Sequence, residues 1–240
     1  MSADIMLFCD GPMHPSRRPQ LVFGVRGHAK LDITVYGPAH PLHSGHYGSW
    51  APNPGMQLLQ LLASMRDVEG NILIKGYMRD AVAPSRADHE AIAAMPDTGP
   101  ELMRQHALAR TEGGGTRVEE MALRPAVNLV GLSMGAVGSQ ARNVIETTAT
   151  ATLDLRLVPS QLPESVRKVV EDHIRGQGFH LVHEPAAFST LASHPRVALL
   201  QWHAGGYPAY RAALDTPSVL PLIDLFLAVY GDELILTPSI

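Results

Sequence analysis

Thr148-Ala-Thr-Ala-Thr-Leu-Asp-Leu-Arg-Leu-Val-Pro159 is the stretch that decides the fold. Ala149, Ala151, Leu153, Leu155 and Leu157 fall on one side of it, and Thr148, Thr150, Thr152, Asp154 and Arg156 on the other. Such alternation has the period of a β-strand with one face against a core and one in water. The expected strand runs over 143–159 and is the longest in the chain. Lys30–Tyr36 repeats the pattern, setting Leu31, Ile33 and Val35 against Lys30, Asp32 and Thr34.

Around these two strands the other elements fall into place. Ile5–Cys9 reads as a short buried strand with Asp10 at its tip, and Gln20–Val25 as another strand. Asn53-Pro54 caps and starts a helix with Met56, Leu59, Leu62 and Ala63 as its apolar stripe. Residues 67–125 are polar and rich in Gly and Pro, with helical pieces at Arg86–Ala94 and Glu101–Arg110 and a joint at Gly113-Gly-Gly115. They read as an insertion too poor in apolar residues for a core of its own. Val127–Leu132 is a strand, and Pro163–Gly178 is an amphipathic helix with Val166, Val169, Val170 and Ile174 on one stripe. His180–His183 closes the series. This order is the split β-α-β pattern of a ferredoxin-like α+β sandwich, β-α-β-β-α-β. Beyond Pro185, Thr216-Pro217 caps an apolar helix carrying Val219, Leu220, Ile223, Leu227 and Tyr230, and Leu234–Leu236 is a strand.

The bulk composition narrows the function classes. With 240 residues, 45% of them hydrophobic, the chain can bury a core. A net charge of −4 and scattered Lys and Arg give no footprint for nucleic acid. No apolar run approaches the ~18 residues of a membrane span. The start, Met-Ser-Ala-Asp-Ile-Met-Leu-Phe, lacks the parts of a signal peptide. A single cysteine, Cys9, fits a reducing compartment, hence a cytoplasmic location. Within its apolar run Cys9 reads as a buried, inert thiol.

The chemistry-bearing residues are few. Pro41-Leu-His-Ser-Gly-His-Tyr-Gly-Ser-Trp-Ala-Pro-Asn-Pro54 has no apolar periodicity and reads as a loop that presents side chains. His40, His43 and His46 are spaced by three, but Pro41 and Gly45 argue against the helix that would align them on a metal. One functional histidine in a structural loop is the preferred reading. Asp10 suits either a metal ligand or an Asx turn. Arg156 suits either a carboxylate ligand or an acidic residue across the sheet. Glu119-Glu120 reads as a solvated face.

Six runs together carry a family resemblance: Phe8-Cys-Asp-Gly-Pro12, Gly24-Val-Arg-Gly27, Leu42-His-Ser-Gly-His-Tyr-Gly48, Arg142-Asn-Val-Ile145, Leu153-Asp-Leu-Arg-Leu-Val-Pro159 and Gly205-Gly-Tyr-Pro-Ala209. In this order they resemble the dinuclear-zinc metallopeptidase family M20, which includes the carnosine dipeptidases. The resemblance implies a ferredoxin-like lid and dimerisation domain at 25–188, with the insertion at about 67–125. Incomplete pieces of an α/β zinc-peptidase catalytic domain would flank it at 1–24 and 189–240. It implies a homodimer through the lid and a small peptide or acyl amino acid as substrate. It makes Asp10 a zinc ligand and His43 a histidine that reaches into the partner's active site. Arg156 becomes the group that holds the substrate carboxylate, with Asn143 beside the substrate. The family's His-x-Asp pair, bridging aspartate, Glu-Glu pair and last histidine ligand have no counterpart here, and Glu146 stands where the family places proline. One carboxylate cannot hold two zinc ions, so the chain reads as a fragment without hydrolysis of its own. The competing reading is a non-catalytic dimerisation module.

Overall fold

A computed structural model describes residues 5–114 and 117–240. Met1–Asp4 of the leader reading and Gly115 of the glycine joint lie outside the described residues. The elements run β1 (Gln20–Val22), β2 (Gly24–Val25), β3 (Gly27–Tyr36), β4 (Leu42–His43), α1 (Ser44–Tyr47) and α2 (Pro54–Ala63). Next come α3 (Arg86–Ala94), α4 (Gly99–Gln105), α5 (Val118–Met121), β5 (Ala126–Ser133), β6 (Val144–Ile145) and β7 (Thr148–Leu157). The chain continues through α6 (Pro163–Gly176), β8 (His180–Val182), α7 (Phe188–Ser193), β9 (Val197–Trp202), β10 (Tyr210–Arg211), α8 (Leu220–Tyr230) and β11 (Ile235–Thr237).

The fold is mixed α/β. Its main sheet has the order β5-β7-β3-β9-β8. β3 and β7 pair antiparallel over their whole length, from Gly27 opposite Leu157 to Tyr36 opposite Thr148. This register puts Ala29, Leu31, Ile33 and Val35 on the same side as Ala149, Ala151, Leu153, Leu155 and Leu157. That side is the core, closed by Leu58 and Leu61 of α2 and by Val166, Val170 and Ile174 of α6. The other side keeps His28, Lys30, Asp32 and Thr34 beside Thr150, Thr152, Asp154 and Arg156, all half-buried. Helices cover one face of the sheet, and the polar face is left for chemistry.

Several expectations need correction. Ile5–Cys9 forms no strand; Met6 and Phe8 are 77% and 79% exposed, and Cys9 is exposed rather than buried. An apolar run makes a strand only beside a ladder partner, and no described strand pairs with this one. The long strand breaks at Glu146 and Thr147 into β6 and β7, which join different sheets. Helix α2 turns Leu58 and Leu61 inward and leaves Met56 and Leu59 exposed. Apolar residues nearly encircle that helix, so spacing alone does not select its buried face. Glu119 is no solvated residue: it is mostly buried, 3.9 Å from His14 Nε2 and 3.4 Å from Arg117 Nε. No side chain caps α8; Val219 stands at its N-cap.

The sequence reading also lacked β9. It inserts between β3 and β8, antiparallel to the first and parallel to the second. The parallel step needs a crossover, and α7 lies within it. A smaller unit sits apart, where β1 pairs parallel with β11. Leu21, Phe23, Leu214, Ile223 and Leu234 pack there. The polar insertion packs against this core through Ala87 and Ala91, and its Ile92, Met95 and Leu123 form a further cluster with Ile235 of β11.

Two histidines of this framework have pKa values below the ordinary 6.5. Burial lowers that of His14 against the opposing pull of Glu119. Burial alone lowers that of His173, whose Nε2 lies 2.9 Å from Ser64 Oγ. The unfolded chain therefore takes up more protons than the folded chain below about pH 6.5, and stability falls as they bind. Urea unfolding should show a lower midpoint at pH 5 than at pH 7, and His173→Gln should narrow the gap; equal midpoints would contradict this origin.

Candidate functional site

The polar face ends in a charged corner where β3 and β7 meet. His28 stands opposite Arg156 in the ladder. Asp154, one strand period back on β7, joins both: its Oδ1 lies 2.9 Å from His28 Nε2, and its Oδ2 accepts from Arg156 Nε at 2.9 Å. The acidic partner of Arg156 is thus its neighbour on the same strand, not a residue across the sheet as the alternative reading held. Among the described residues neither Nη of Arg156 has a hydrogen bond, and the side chain is 39% exposed. The fork that suits a carboxylate is held at its base and open at its tip. Asp154 and His28 escaped the sequence reading as site residues, although the same alternation that places Arg156 on the polar face places them beside it.

Arg26 sits one step before β3. Its pKa is lowered first by burial, next by the like charge of Arg156, with Asp154 opposing. The turn-rich run Gly205–Ala209 closes over this corner. Tyr207 pairs with His28 through the backbone, and their rings lie 5.9 Å apart. Gly27 permits that closure. A Cβ there would stand 2.5 Å from Ala209 N and 2.7 Å from Tyr207 O. Gly27→Ala should therefore cost about 1–3 kcal/mol, the usual range for overpacking, as read by thermal unfolding. Wild-type stability in that variant would contradict the close approach.

Further along the polar face a second histidine–carboxylate pair repeats the motif. His203 Nε2 lies 2.9 Å from Asp32 Oδ2, and Thr152 Oγ1 donates to Asp32 Oδ1 at 2.7 Å. The hydrogen bonds from Thr152 and His203 outweigh partial burial and hold the Asp32 carboxyl below its ordinary range.

His43 lies elsewhere, on the small two-stranded sheet of β4 and β6. His43 stands opposite Val144, and Ser44 N donates to the Asn143 carbonyl at 2.9 Å. The structure therefore brings His43 and Asn143 together through the backbone. Contrary to the loop reading, Ser44–Tyr47 is a four-residue helix, and His43 caps it. The His43 Nδ1 accepts from Gly45 N at 3.1 Å. In the neutral ring the proton then sits on Nε2, which faces water as a donor. The His46 ring lies tilted against that of His43, 4.7 Å between centroids. Glu146 pairs with Arg142 at 3.6 Å.

Asp10 is exposed and shares no hydrogen bond or ion pair with His43, Asn143 or Arg156 among the described residues. Nor do three or more His, Cys, Asp or Glu side chains converge among those residues to hold a metal ion. The described residues do not by themselves fit a two-zinc centre. No helix of the described residues is long and apolar enough to cross a membrane.

Comparison with known proteins gives this geometry its context. The profile of the peptidase dimerisation domain matches residues 23–180. The Cys-Gly metallodipeptidase dug1 of Schizosaccharomyces pombe is 26% identical over 208 residues, covering 85% of this chain and 41% of that protein. The cysteinylglycine-S-conjugate dipeptidase of Corynebacterium striatum is 30% identical over 182 residues, covering 73% of this chain and 38% of that protein. The chain thus spans about two fifths of the length of these curated relatives. In structure it resembles the M20 family metallo-carboxypeptidase Sso-CP2 of Sulfolobus solfataricus. That match has a TM-score of 0.75 at 23% identity and covers 95% of this chain and 55% of that one. This likeness speaks for the fold alone. The chain belongs to the M20 peptidase dimerisation domain family.

Proposed function

We propose that the chain is the lid and dimerisation part of a metallopeptidase that hydrolyses dipeptides or N-acyl amino acids. One observation carries the reading: His43 is exposed, with Nδ1 engaged and Nε2 free to donate, and no group of described residues beside it could hold a metal. A donor presented this way suits a reaction centre on another body. Delivered to the partner's active site, its Nε2–H would hydrogen-bond the oxyanion that forms at the scissile carbonyl. Asn143, tied to the same small sheet, would stand beside the substrate, and Arg156 would hold the substrate's free carboxylate on its Nη groups. The relatives' names as dipeptidases support the substrate class. Two zinc ions, with Asp10 as one ligand, belong to the proposal for the longer protein only.

The lid on this reading is ferredoxin-like, β3-α2-β5-β7-α6-β8, with β9 added between its first and last strands. Residues 25–188 form it together with β9, and 1–24 and the residues beyond β9 belong to the catalytic domain. Exposed apolar side chains on α8, among them Leu225 and Val229, support a contact with further parts of such a domain. The single cysteine supports a cytoplasmic location.

Dimerisation is assigned to the β5 edge. Among the described strands β5 has a neighbour on one side only, and it exposes Leu129, Val130 and Leu132. A long apolar edge strand is a template for pairing with another copy. Sedimentation equilibrium should find a dimer at micromolar concentration and a monomer after Val130→Lys; a wild-type monomer, or a dimer indifferent to the change, would contradict the assignment.

A second reading is a dimerisation module without activity, favoured by the isolation of Asp10. Hydrolysis of Cys-Gly in the presence of zinc separates the two. Turnover after the metal-binding segments are supplied, and its loss in His43→Ala, supports the peptidase. A dimer that stays inert with those segments supports the module.

A further inference from the structure

Asp154 divides its two oxygens between His28 and Arg156. Its side chain is only 14% exposed, so these partners, and not water, satisfy it. Oδ1 lies 2.9 Å from His28 Nε2, and Oδ2 accepts from Arg156 Nε at 2.9 Å. An arginine gripped at Nε has its planar fork held in place while both Nη groups keep their donors. On the other side of Arg156 the ladder sets Ala126, whose side chain offers no competing acceptor.

His28 brings a charge that comes and goes near neutral pH. With His28 neutral, the three residues carry one positive and one negative charge. With His28 protonated they carry one net positive charge, which a carboxylate on the Nη groups would neutralise. The other titratable neighbours do not supply this change. Lys30 stands opposite Asp154 but forms no ion pair among the described residues. Arg26 lies in the break between β2 and β3, and its amide donates to the Ile240 carbonyl at 3.0 Å. Both keep their charge through the neutral range. The His203 ring is engaged with Asp32 further along the face. Tyr207 lays its ring 5.9 Å from that of His28, and phenols stay neutral in this range. Burial first, and the Asp154 charge second, push the Tyr77 phenol still higher.

We propose that Asp154 is a positioning residue for Arg156, and that the proton on His28 sets how tightly the positioned fork holds a carboxylate. This rests on the reading of Arg156 as the carboxylate holder. The ligand class is a peptide or N-acyl amino acid with a free terminal carboxylate, held more tightly in acid than in base.

Calorimetric titration of the chain with N-acetyl-L-alanine at pH 5.5 and pH 8.5, in constant salt, tests the inference. Wild-type affinity should be about threefold or more higher at pH 5.5, the scale of one added charge near the ligand. In His28→Gln, which keeps a donor for Asp154 but cannot titrate, the ratio should fall to about 1. In His203→Gln it should persist. Asp154→Asn adds a positive charge at every pH, so a role in charge alone predicts tighter binding, whereas positioning predicts weaker binding at pH 8.5. A ratio that survives His28→Gln, or tighter binding by Asp154→Asn, in variants with native circular dichroism, overturns the inference. Unchanged binding in Arg156→Gln would sink the reading of Arg156 instead. No saturable binding to the wild-type chain would also count against Arg156, and the inference would fall with it.

Discussion

The antiparallel ladder between β3 and β7 is the constraint on which the rest depends. Ten residues of each strand face each other without a break. Side chains alternate with period two, so a slip by one residue would exchange the faces of either strand. Leu31 and Ile33 would come out to water, and Asp32 would enter the core. With Leu31, Ile33, Leu155 and Leu157 fully buried, such a slip would strand four large apolar side chains. The apolar face thus fixes the register, and the register fixes what the polar face can do. His28 meets Arg156 across the ladder because Leu31 meets Leu153 on the other side.

This coupling sets which parts of the candidate site are rigid. Asp154, Arg156 and His28 ride on the two best-anchored strands, so the guanidinium base is held in place while its Nη groups stay free. His43 and Asn143 ride on a two-residue ladder outside the main sheet. Their mutual placement comes from that pairing and from the hydrogen bond of Ser44 N to the Asn143 carbonyl. The small sheet presents its histidine, whereas the main sheet holds its arginine. This division suits the roles proposed for them, a histidine reaching another subunit and an arginine orienting a substrate carboxylate.

The sequence made β3, β7 and α6 legible because each is wet on one side, so polar and apolar residues mark its faces. β9 was not legible for the opposite reason: Val197, Ala198, Leu199 and Leu200 are all buried, so no alternation betrays the strand. Ile5–Cys9 had the composition of a strand without the neighbour that makes one. At the site, Arg156 and Asp154 were readable as co-facial, but the absence of an acid opposite Arg156 is a fact of register. Asn143 and His43 stand far apart in sequence, and only the β4–β6 pairing joins them. The roles proposed for these residues rest on motif resemblance, because an isolated exposed histidine has no local pattern that separates it from a surface residue.

Amide hydrogen exchange, followed over a range of protein concentration, tests the account most directly. If β3 and β7 are the framework and β5 is the edge that a second copy covers, amides of β3 and β7 should be strongly protected at every concentration. Outward amides of β5 should gain protection only as the chain associates. Equal protection of β5 at all concentrations, or exchange of β3 and β7 as fast as β5, would contradict it.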